Sequence, residues 1–372
     1  MPRVRVMELS LPTNNSIASL HETDFRQWLR CPLCKGKLDF SASGYHCAAC
    51  GRDFPVVLGI PDLRVYPDPY LSFEDDRRKG QVLQARAETV DFAELVRFYW
   101  EITPETPANL KGRFIRHVLS DDARAESILA KLPPPFSATA SCLEVGCGTG
   151  AFVKAATRKF RTVVGCDIAF RWLVVARKRL AVSGVPARLV CCCADYLPFP
   201  REAFDSVVAI SLLEHVQSPQ PVLDDCARVL RDRGSFLALS TNRYSLATEP
   251  HVGVWGVGFL PRRWMQAYVR WKKGVSYDKH RLPSYFELRR FLRNAGFEAV
   301  SISLPQVSAA DCEGRPRFER AGGRLFNSLG RLPLLCRIMV LVSPLLQASA
   351  RKKAAAQQTA KIASPASREG RI

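Results

Sequence analysis

The sequence predicts an α/β protein whose main part is a doubly wound parallel sheet, preceded by a small cysteine-rich ribbon and a helical segment. Strand and helix patterns alternate from SCLEV at residue 141 to SFLALST at residue 241. Two C-x2-C pairs stand near the start of the chain, and runs with helical apolar spacing lie between these two regions. Such alternation is typical of a parallel sheet with helices on both faces.

Length and charge limit the function classes. A chain of 372 residues with 47% apolar residues has room for about two or three domains and a large core. The net charge of +19 is uneven, because residues 1–135 hold 18 Lys/Arg and 18 Asp/Glu, and the rest hold 36 against 17. This field would attract nucleic acid, anionic lipid or a phosphorylated substrate, without choosing among them.

The chain divides by composition into successive segments. Its first residues lack the apolar run of a secretory signal, which predicts a cytoplasmic protein with reduced cysteines. The predicted segments are a lead-in (1–30), a ribbon (31–66), a helical linker or cap (67–135), the sheet domain (136–310) with an insertion at 242–282, an apolar basic segment (311–350) and a disordered basic tail (351–372).

Four cysteines form a predicted structural metal site. Cys31 and Cys34 make one C-x2-C pair, and Cys47 and Cys50 make a second pair twelve residues further on. Four thiolates suit tetrahedral zinc, which would stabilise a unit with too little core of its own. Gly36 and Gly51 follow the pairs and would let the chain turn around the metal.

A glycine-rich segment, Gly146-x-Gly148-x-Gly150, follows a predicted strand and opens a predicted helix. Its glycines permit a tight turn and a close approach of a ligand. Gly146, Gly148 and Ala151 also satisfy a dinucleotide fingerprint, and Asp167 lies near the distance expected for a ribose-binding carboxylate. An NAD-dependent oxidoreductase is therefore one alternative.

Acidic residues at three successive strand ends favour a cationic ligand instead. Glu144, Asp167 and Asp195 are predicted to face one crevice. A dinucleotide would put its pyrophosphate at this helix start, where Glu144 would repel it. S-adenosylmethionine carries an ammonium and a sulfonium and no phosphate, so carboxylates there would stabilise it. The Asp167 carboxylate can accept hydrogen bonds from both ribose hydroxyls, and Asp195 can accept one from the adenine amino group.

The glycine loop, FDSVV at 204–208, LEHV at 213–216 and the run at 222–242 resemble class I S-adenosylmethionine-dependent methyltransferases of the ubiquinone/menaquinone-methylase type. The resemblance implies a Rossmann-like methyltransferase sheet and S-adenosylmethionine as methyl donor. It also implies that Ser211 and Leu212 lie beside the transferred methyl group. The implied cofactor-binding residues are Glu144, Gly146, Gly148, Gly150, Asp167, Ile168, Asp195, Tyr196, Ser211 and Leu212. The cysteine region resembles zinc ribbons of certain rRNA methyltransferases and of small tRNA-methyltransferase activators.

The insertion after the fifth strand holds the candidate catalytic residues. Methyl transfer often needs a base for the acceptor's proton, and His251 is the candidate, with Glu249 to orient it or to do the same work. A loop-stabilising histidine is the alternative. His215, within LEHV, is interpreted as mainly structural.

The acceptor is predicted to be a small or lipid-linked molecule, such as a glycolipid, a glycan or a quinone precursor, methylated on oxygen or carbon. Residues 325–347 are the most apolar part of the chain, but charged residues and prolines interrupt them. They could lie in the interface of an anionic membrane at its cytoplasmic face, or pack on the domain. The alternatives are an RNA methyltransferase that uses the ribbon, which its near-neutral charge disfavours, and a non-catalytic scaffold that binds S-adenosylmethionine.

Overall fold

A computed structural model describes residues 27–42, 44–104, 106, 108–133, 137–307 and 317–354. Most of the predicted lead-in and the tail from residue 355 lie outside these residues. The strands are β1 Asp39–Ser41, β2 Gly44–Cys47, β3 Arg52–Phe54, β4 Val56–Val57, β5 Ile60–Pro61, β6 Ser141–Val145, β7 Thr162–Asp167, β8 Leu189–Cys191, β9 Phe204–Ile210, β10 Leu230–Thr241, β11 Phe297–Ser303 and β12 Leu345–Lys352.

The helices of these residues fall into two groups along the chain. Four precede the main sheet: α1 Phe73–Ala87, α2 Phe92–Glu101, α3 Ala108–Leu119 and α4 Asp121–Leu129. The others are α5 Ala151–Ala156, α6 Phe170–Val182, α7 Pro219–Val229, α8 Arg262–Lys273, α9 Tyr285–Asn294, α10 Arg317–Leu329 and α11 Pro333–Val342, with a short 3-10 helix at Val257–Phe259. None of the helices in the described part of the chain is long and apolar enough to cross a bilayer.

The main sheet has seven strands in the order β11-β12-β10-β9-β6-β7-β8. Strands β8, β7, β6, β9 and β10 are parallel, and β12 is antiparallel to both of its neighbours. Every residue of β6 is buried, as expected of a parallel strand covered on both faces. The chain runs outward from β6 in one direction and from β9 in the other. This switch point, at the carboxyl ends of β6 and β9, is where such sheets bind ligands.

The predicted end of the sheet domain at residue 310, and the predicted start of the disordered tail at residue 351, differ from the structure. Strand β12 lies between β10 and β11, with Leu237 opposite Ser349 and Ile302 opposite Ala348. The domain therefore extends to Lys352, and α10 and α11 form the connection between its last two strands. The sequence prediction failed here because β12 pairs with residues more than one hundred positions away, and its own pattern is short.

The ribbon is packed onto the sheet domain. Strands β1, β2 and β3 form its antiparallel sheet. Arg30 N donates to Pro198 O at 2.9 Å, and Leu63 N donates to Cys191 O at 2.8 Å. Buried Leu29 and Tyr45 belong to the same apolar cluster as residues of the central strands. The ribbon and the main sheet therefore share one core.

A buried network of ion pairs fixes the helical segment to the start of α6. Arg64 Nη1 donates to Asp76 Oδ2 at 2.7 Å, and Arg171 Nη1 donates to Asp76 Oδ1 at 2.7 Å. Arg64 Nη1 also donates to Ile168 O at 3.0 Å, immediately after the end of β7. All of these side chains are almost completely buried. The network therefore sets the position of the segment that follows Asp167.

Candidate active site

The glycine loop after β6 turns through left-handed backbone conformations. Gly146 has φ 76° and Gly148 has φ 48°, and the amides of Gly146 and Cys147 both donate to Cys166 O on β7. A Cβ on Gly146 would lie 3.0 Å from Leu212 Cδ1. A Cβ on Gly148 would have no atom within 4 Å, so the loop faces open space there. The loop is thus a cradle that a ligand backbone can approach closely.

Asp167 ends β7 directly beside this loop. Its Oδ2 accepts a hydrogen bond from Gly148 N, and its Oδ1 accepts one from Ala169 N, both at 2.8 Å. Burial raises the pKa of Asp167 to about 6, although these two backbone hydrogen bonds favour the charged form. The structure therefore places Asp167 against the glycine loop, as the sequence predicted for a ribose-binding carboxylate.

Asp195, after β8, meets a residue that the sequence analysis did not single out. Tyr66 Oη donates to Asp195 Oδ1 at 2.5 Å, and the Tyr66 and Tyr196 rings meet edge to face with centroids 6.2 Å apart. Burial and the Asp195 carboxylate raise the pKa of Tyr66, so the phenol keeps its proton. The end of the predicted ribbon thus reaches the crevice beside the predicted adenine-binding residues.

Glu144 does not face the crevice as the sequence analysis expected. The residue is buried in β6, and its Oε2 accepts a hydrogen bond from Val153 N in the first turn of α5 at 3.1 Å. Burial raises the pKa of Glu144 well above its usual range, which favours the neutral form. A neutral Glu144 would not repel a pyrophosphate, so this residue is a weaker argument against a dinucleotide than the sequence analysis expected. The reason is the alternation along β6, which turns this side chain toward the covering helix.

Ser211 and Leu212 follow β9 and reach the glycine loop from the other side of the switch point. Ser211 has φ 50°, an uncommon conformation for a residue with a Cβ, and its N donates to Leu239 O at 2.8 Å. Such outliers at a strand end often mark functional sites. Leu212 lies against Gly146. Both residues therefore lie at the carboxyl end of β9, beside the glycine loop.

Glu249 and His251 form a closely bonded pair. His251 Nδ1 lies 2.5 Å from Glu249 Oε1, and Glu249 Oε2 accepts hydrogen bonds from the backbone N of His251 and of Val252, both at 2.8 Å. Burial favours the neutral carboxyl, but the hydrogen bond and charge of His251 outweigh it and lower the pKa of Glu249. The carboxylate fixes the ring and leaves Nε2 for another partner.

Two further histidines lie against His251. The centroid of the His251 ring is 4.8 Å from that of His215 and 4.2 Å from that of His280. A hydrogen bond from Arg281 N to Glu214 O, at 2.8 Å, joins the segments of His280 and His215. His215 was predicted to be mainly structural, and the sequence analysis missed His280. The sequence held one hint of His280: histidine is rare in this chain, with six residues in all, so each histidine is a candidate for a functional role.

The three rings suit proton transfer better than a shared metal ion. Their nitrogen atoms lie within 4.8 Å of one another, a spacing that allows a metal in principle. Imidazole lone pairs lie in the ring plane, however, and the His251 and His280 planes are inclined by only 31°. Nearly parallel rings do not direct their lone pairs at one point. Burial and the neighbouring imidazoles lower the pKa of His280 to about 3, so it stays neutral.

The four predicted metal-ligating cysteines come together in the ribbon. Their sulfur atoms all lie within 4.8 Å of one another, with Cys31 Sγ 3.6 Å from Cys50 Sγ and Cys34 Sγ 3.4 Å from Cys47 Sγ. This donor set fits one tetrahedral zinc ion.

The turn after the first cysteine pair differs from the prediction. The residue in the left-handed conformation at this turn is Lys35, with φ 60°, and not Gly36. Gly36 is required for space instead, because a Cβ there would lie 3.3 Å from Cys34 Sγ. After the second pair, Gly51 does take a left-handed conformation, with φ 68°.

Comparisons with known proteins find methyltransferases. Residues 143–238 match the methyltransferase domain family. The ubiquinone biosynthesis O-methyltransferase of Xanthomonas axonopodis pv. citri is 28% identical over 220 residues, covering 59% of this chain and 83% of that protein. The Dinoroseobacter shibae enzyme of the same name is 27% identical over 228 residues, covering 59% and 87%. The Haemonchus contortus phosphoethanolamine N-methyltransferase 2 structure has 18% identity and a TM-score of 0.44, covering 62% and 53%.

Proposed function

Because this chain is an S-adenosylmethionine-dependent methyltransferase with its methyltransferase domain at residues 143–238, we propose that it methylates an oxygen or carbon of a small or lipid-linked acceptor. The acceptor class includes a glycolipid, a glycan or a quinone precursor. Relatives named as ubiquinone biosynthesis O-methyltransferases support oxygen as the acceptor atom. The observation that carries the proposal is the Glu249–His251 pair, which lies beside the loop after β9.

The crevice fits the methyl donor by shape and charge. The open face of Gly148 leaves room for the methionine part, while the Asp167 carboxylate lies where ribose hydroxyls would bind. Asp195 and Tyr196, with Ile168, would surround the adenine. When bound, S-adenosylmethionine supplies an electrophilic methyl group on its sulfonium. The acidic side chains of Asp167 and Asp195 favour a cationic donor over a dinucleotide, without a contribution from Glu144.

His251 would remove the acceptor's proton. Its Nδ1 is held by Glu249, so its Nε2 can accept a proton from an acceptor hydroxyl, and the carboxylate then stabilises the imidazolium. His215 and His280 would exclude water and keep the ring in place, because both lie against it. Cys31, Cys34, Cys47 and Cys50 would hold a structural zinc ion that supports the ribbon from outside the crevice.

Labelled S-adenosylmethionine tests the acceptor class. The protein is incubated with cell lysate, and lipid, RNA, protein and small-molecule fractions are counted for the wild type and for His251→Asn. We expect label in the lipid or small-molecule fraction, lost in His251→Asn and kept in the control His117→Asn, whose ring is exposed on α3. Label in RNA would overturn the acceptor class, and label in no fraction would favour the scaffold. Calorimetry with NAD is expected to show no binding.

A further inference from the structure

Helix α8, inside the insertion, presents an exposed aromatic stripe. Met265 and Val269 are its buried residues and attach it to the domain. Trp264, Tyr268 and Trp271 follow at positions i, i+4 and i+7, which share one side of a helix about 100° away from the buried residues. The two tryptophans are 54% and 73% exposed. The described fold therefore leaves the two tryptophans uncovered, while Tyr268 between them is partly buried against the small cluster that contains Met265 and Val269.

The stripe continues into a larger apolar surface. Tyr268 Oη donates to Trp255 O at 3.2 Å, and Trp255 Nε1 donates to Leu246 O at 3.0 Å. Leu246 N donates in turn to Val342 O, at the end of α11, at 3.0 Å. Leu246 and Trp255 are themselves exposed by 59% and 60%. Helices α8 and α11 are thus linked by exposed apolar residues.

Helix α11 adds apolar side chains to this surface. Leu334, Leu335 and Ile338 are exposed, and Val340 is buried. Residues 325–347, for which the sequence allowed either a membrane contact or packing on the domain, therefore pack on the domain in part and leave other apolar side chains exposed. Exposed apolar surfaces of this extent are rare on soluble proteins unless they bind a partner or a membrane. We call α8, α11, Leu246 and Trp255 the apolar surface.

The charge around the apolar surface is strongly positive. Residues 250–286 contain seven Lys/Arg and one Asp/Glu, and residues 320–354 contain seven Lys/Arg and no Asp/Glu. On α8, the guanidinium of Arg263 lies 5.2 Å from the Trp264 ring centroid, and Lys272 Nζ lies 4.2 Å from that of Trp271. The surface therefore combines exposed tryptophans with adjacent cations, a combination that matches the headgroup region of an anionic bilayer.

We propose that the apolar surface docks this protein on an anionic lipid bilayer, with the α8 tryptophans in the interface and the basic residues at the headgroups. Tryptophan is favoured at this depth because its ring is apolar and its N–H stays hydrated. Trp255 lies four residues after His251 in the same insertion, so docking would bring the crevice mouth near the lipid. The idea that docking delivers a lipid-linked acceptor rests on the proposed function, whereas binding of the protein to the bilayer is independent of it.

Vesicle flotation of the full chain tests the docking. Phosphatidylcholine vesicles are compared with vesicles that also contain phosphatidylglycerol, for the wild type, Trp264→Ser/Trp271→Ser and Arg263→Gln/Arg270→Gln. The wild type should float with the anionic vesicles, and the arginine variant should partition about thirtyfold less, since each basic residue contributes about fivefold. The tryptophan variant should lose binding to both kinds of vesicle. Val182→Ser, an equally exposed apolar residue on α6, should float like the wild type.

Two outcomes would overturn the docking. One is equal flotation of the wild type and both double variants. The other is a wild-type dimer in sedimentation velocity that the tryptophan variant abolishes, without any flotation, because the surface would then bind a second copy. Calorimetry with S-adenosylmethionine separates this result from failure of the proposed function. The variants should bind the donor like the wild type, whether or not they bind lipid.

Discussion

Tyr66 Oη lies 2.5 Å from Asp195 Oδ1, so the last residue of the predicted ribbon contacts the carboxylate proposed to bind adenine. Cys193 Sγ also donates to Tyr66 O, at 3.6 Å, which holds the two segments side by side. The N-terminal region therefore forms part of the cofactor crevice. Its loss is expected to affect donor binding as well as stability.

Tyr66→Phe tests this contact. The change removes one hydrogen bond to Asp195 and leaves the ring in place. Because such a hydrogen bond contributes about 1 kcal/mol, we expect the affinity for the donor to fall about fivefold. Calorimetry with S-adenosylmethionine measures it. Tyr70→Phe, another exposed tyrosine of the same segment, is the control. Unchanged affinity in Tyr66→Phe would mean that Asp195 does not need the phenol for its position.

Donor binding should depend on pH through Asp167. Its pKa is raised to about 6, so the carboxylate becomes protonated as the pH falls through that value. Since the charged form accepts the ribose hydroxyls, affinity should fall by up to about tenfold per pH unit below this pKa. Calorimetry across this range should show the decline in the wild type. Asp167→Asn should bind weakly at every pH, and a parallel decline in it would exclude this carboxylate as the cause.

Glu249→Gln and His251→Asn should lower the turnover number and leave donor affinity unchanged. Loss of a general base typically slows a reaction by about 10²–10⁴-fold. Because the two side chains act as one unit, the double variant should be little slower than His251→Asn alone. Single-turnover transfer to the identified acceptor measures the rate. Full activity of His251→Asn would leave the ring with a structural role only.

Cys34→Ser should destabilise the whole domain, because the ribbon and the main sheet share one core. We expect the melting temperature to fall by about 10 °C, corresponding to about 3 kcal/mol or more. Differential scanning calorimetry and zinc content measure the two effects together. The control Cys336→Ser, at a half-buried cysteine on α11, should keep the wild-type melting temperature and zinc content. A ribbon variant that loses zinc but melts like the wild type would contradict the shared core.

Gly80→Ala should destabilise the contact between α1 and α6. A Cβ at Gly80 would lie 2.6 Å from two carbons of the buried Phe170 ring, which has no room to move. Overpacking of this kind costs about 1–3 kcal/mol in the free energy of unfolding. In α3, Gly112→Ala meets only Arg116 Nη1, at 3.6 Å, and should stabilise the helix by up to about 1 kcal/mol. Urea denaturation compares the two variants.

The cofactor end of the site could largely be predicted from the sequence. The glycine loop, Asp167, Asp195, Ser211 and Leu212 lie at or within a few residues of strand ends, so strand order brings them to one edge of the sheet. Glu144 was misjudged because the alternation along β6 turns its side chain toward the helix that covers the strand. The residues expected to bind the donor lie in short sequence segments at strand ends, so local sequence patterns are enough to predict them.

The histidine cluster and the outer strands could not be predicted in this way. His215, His251 and His280 are separated by tens of residues along the chain, and their rings come into contact only in the folded structure. The same is true of Tyr66 with Asp195, and of β12, which pairs with β10 and β11.

The sequence by itself determined the fold class, the zinc-ligand set and the class of cofactor, because these depend on periodicity and on motifs of a few residues. Only the folded chain shows which side chains lie against His251, where the sheet ends and which apolar side chains stay exposed. Those features depend on contacts between distant segments, whose free energy comes from packing that no local pattern records.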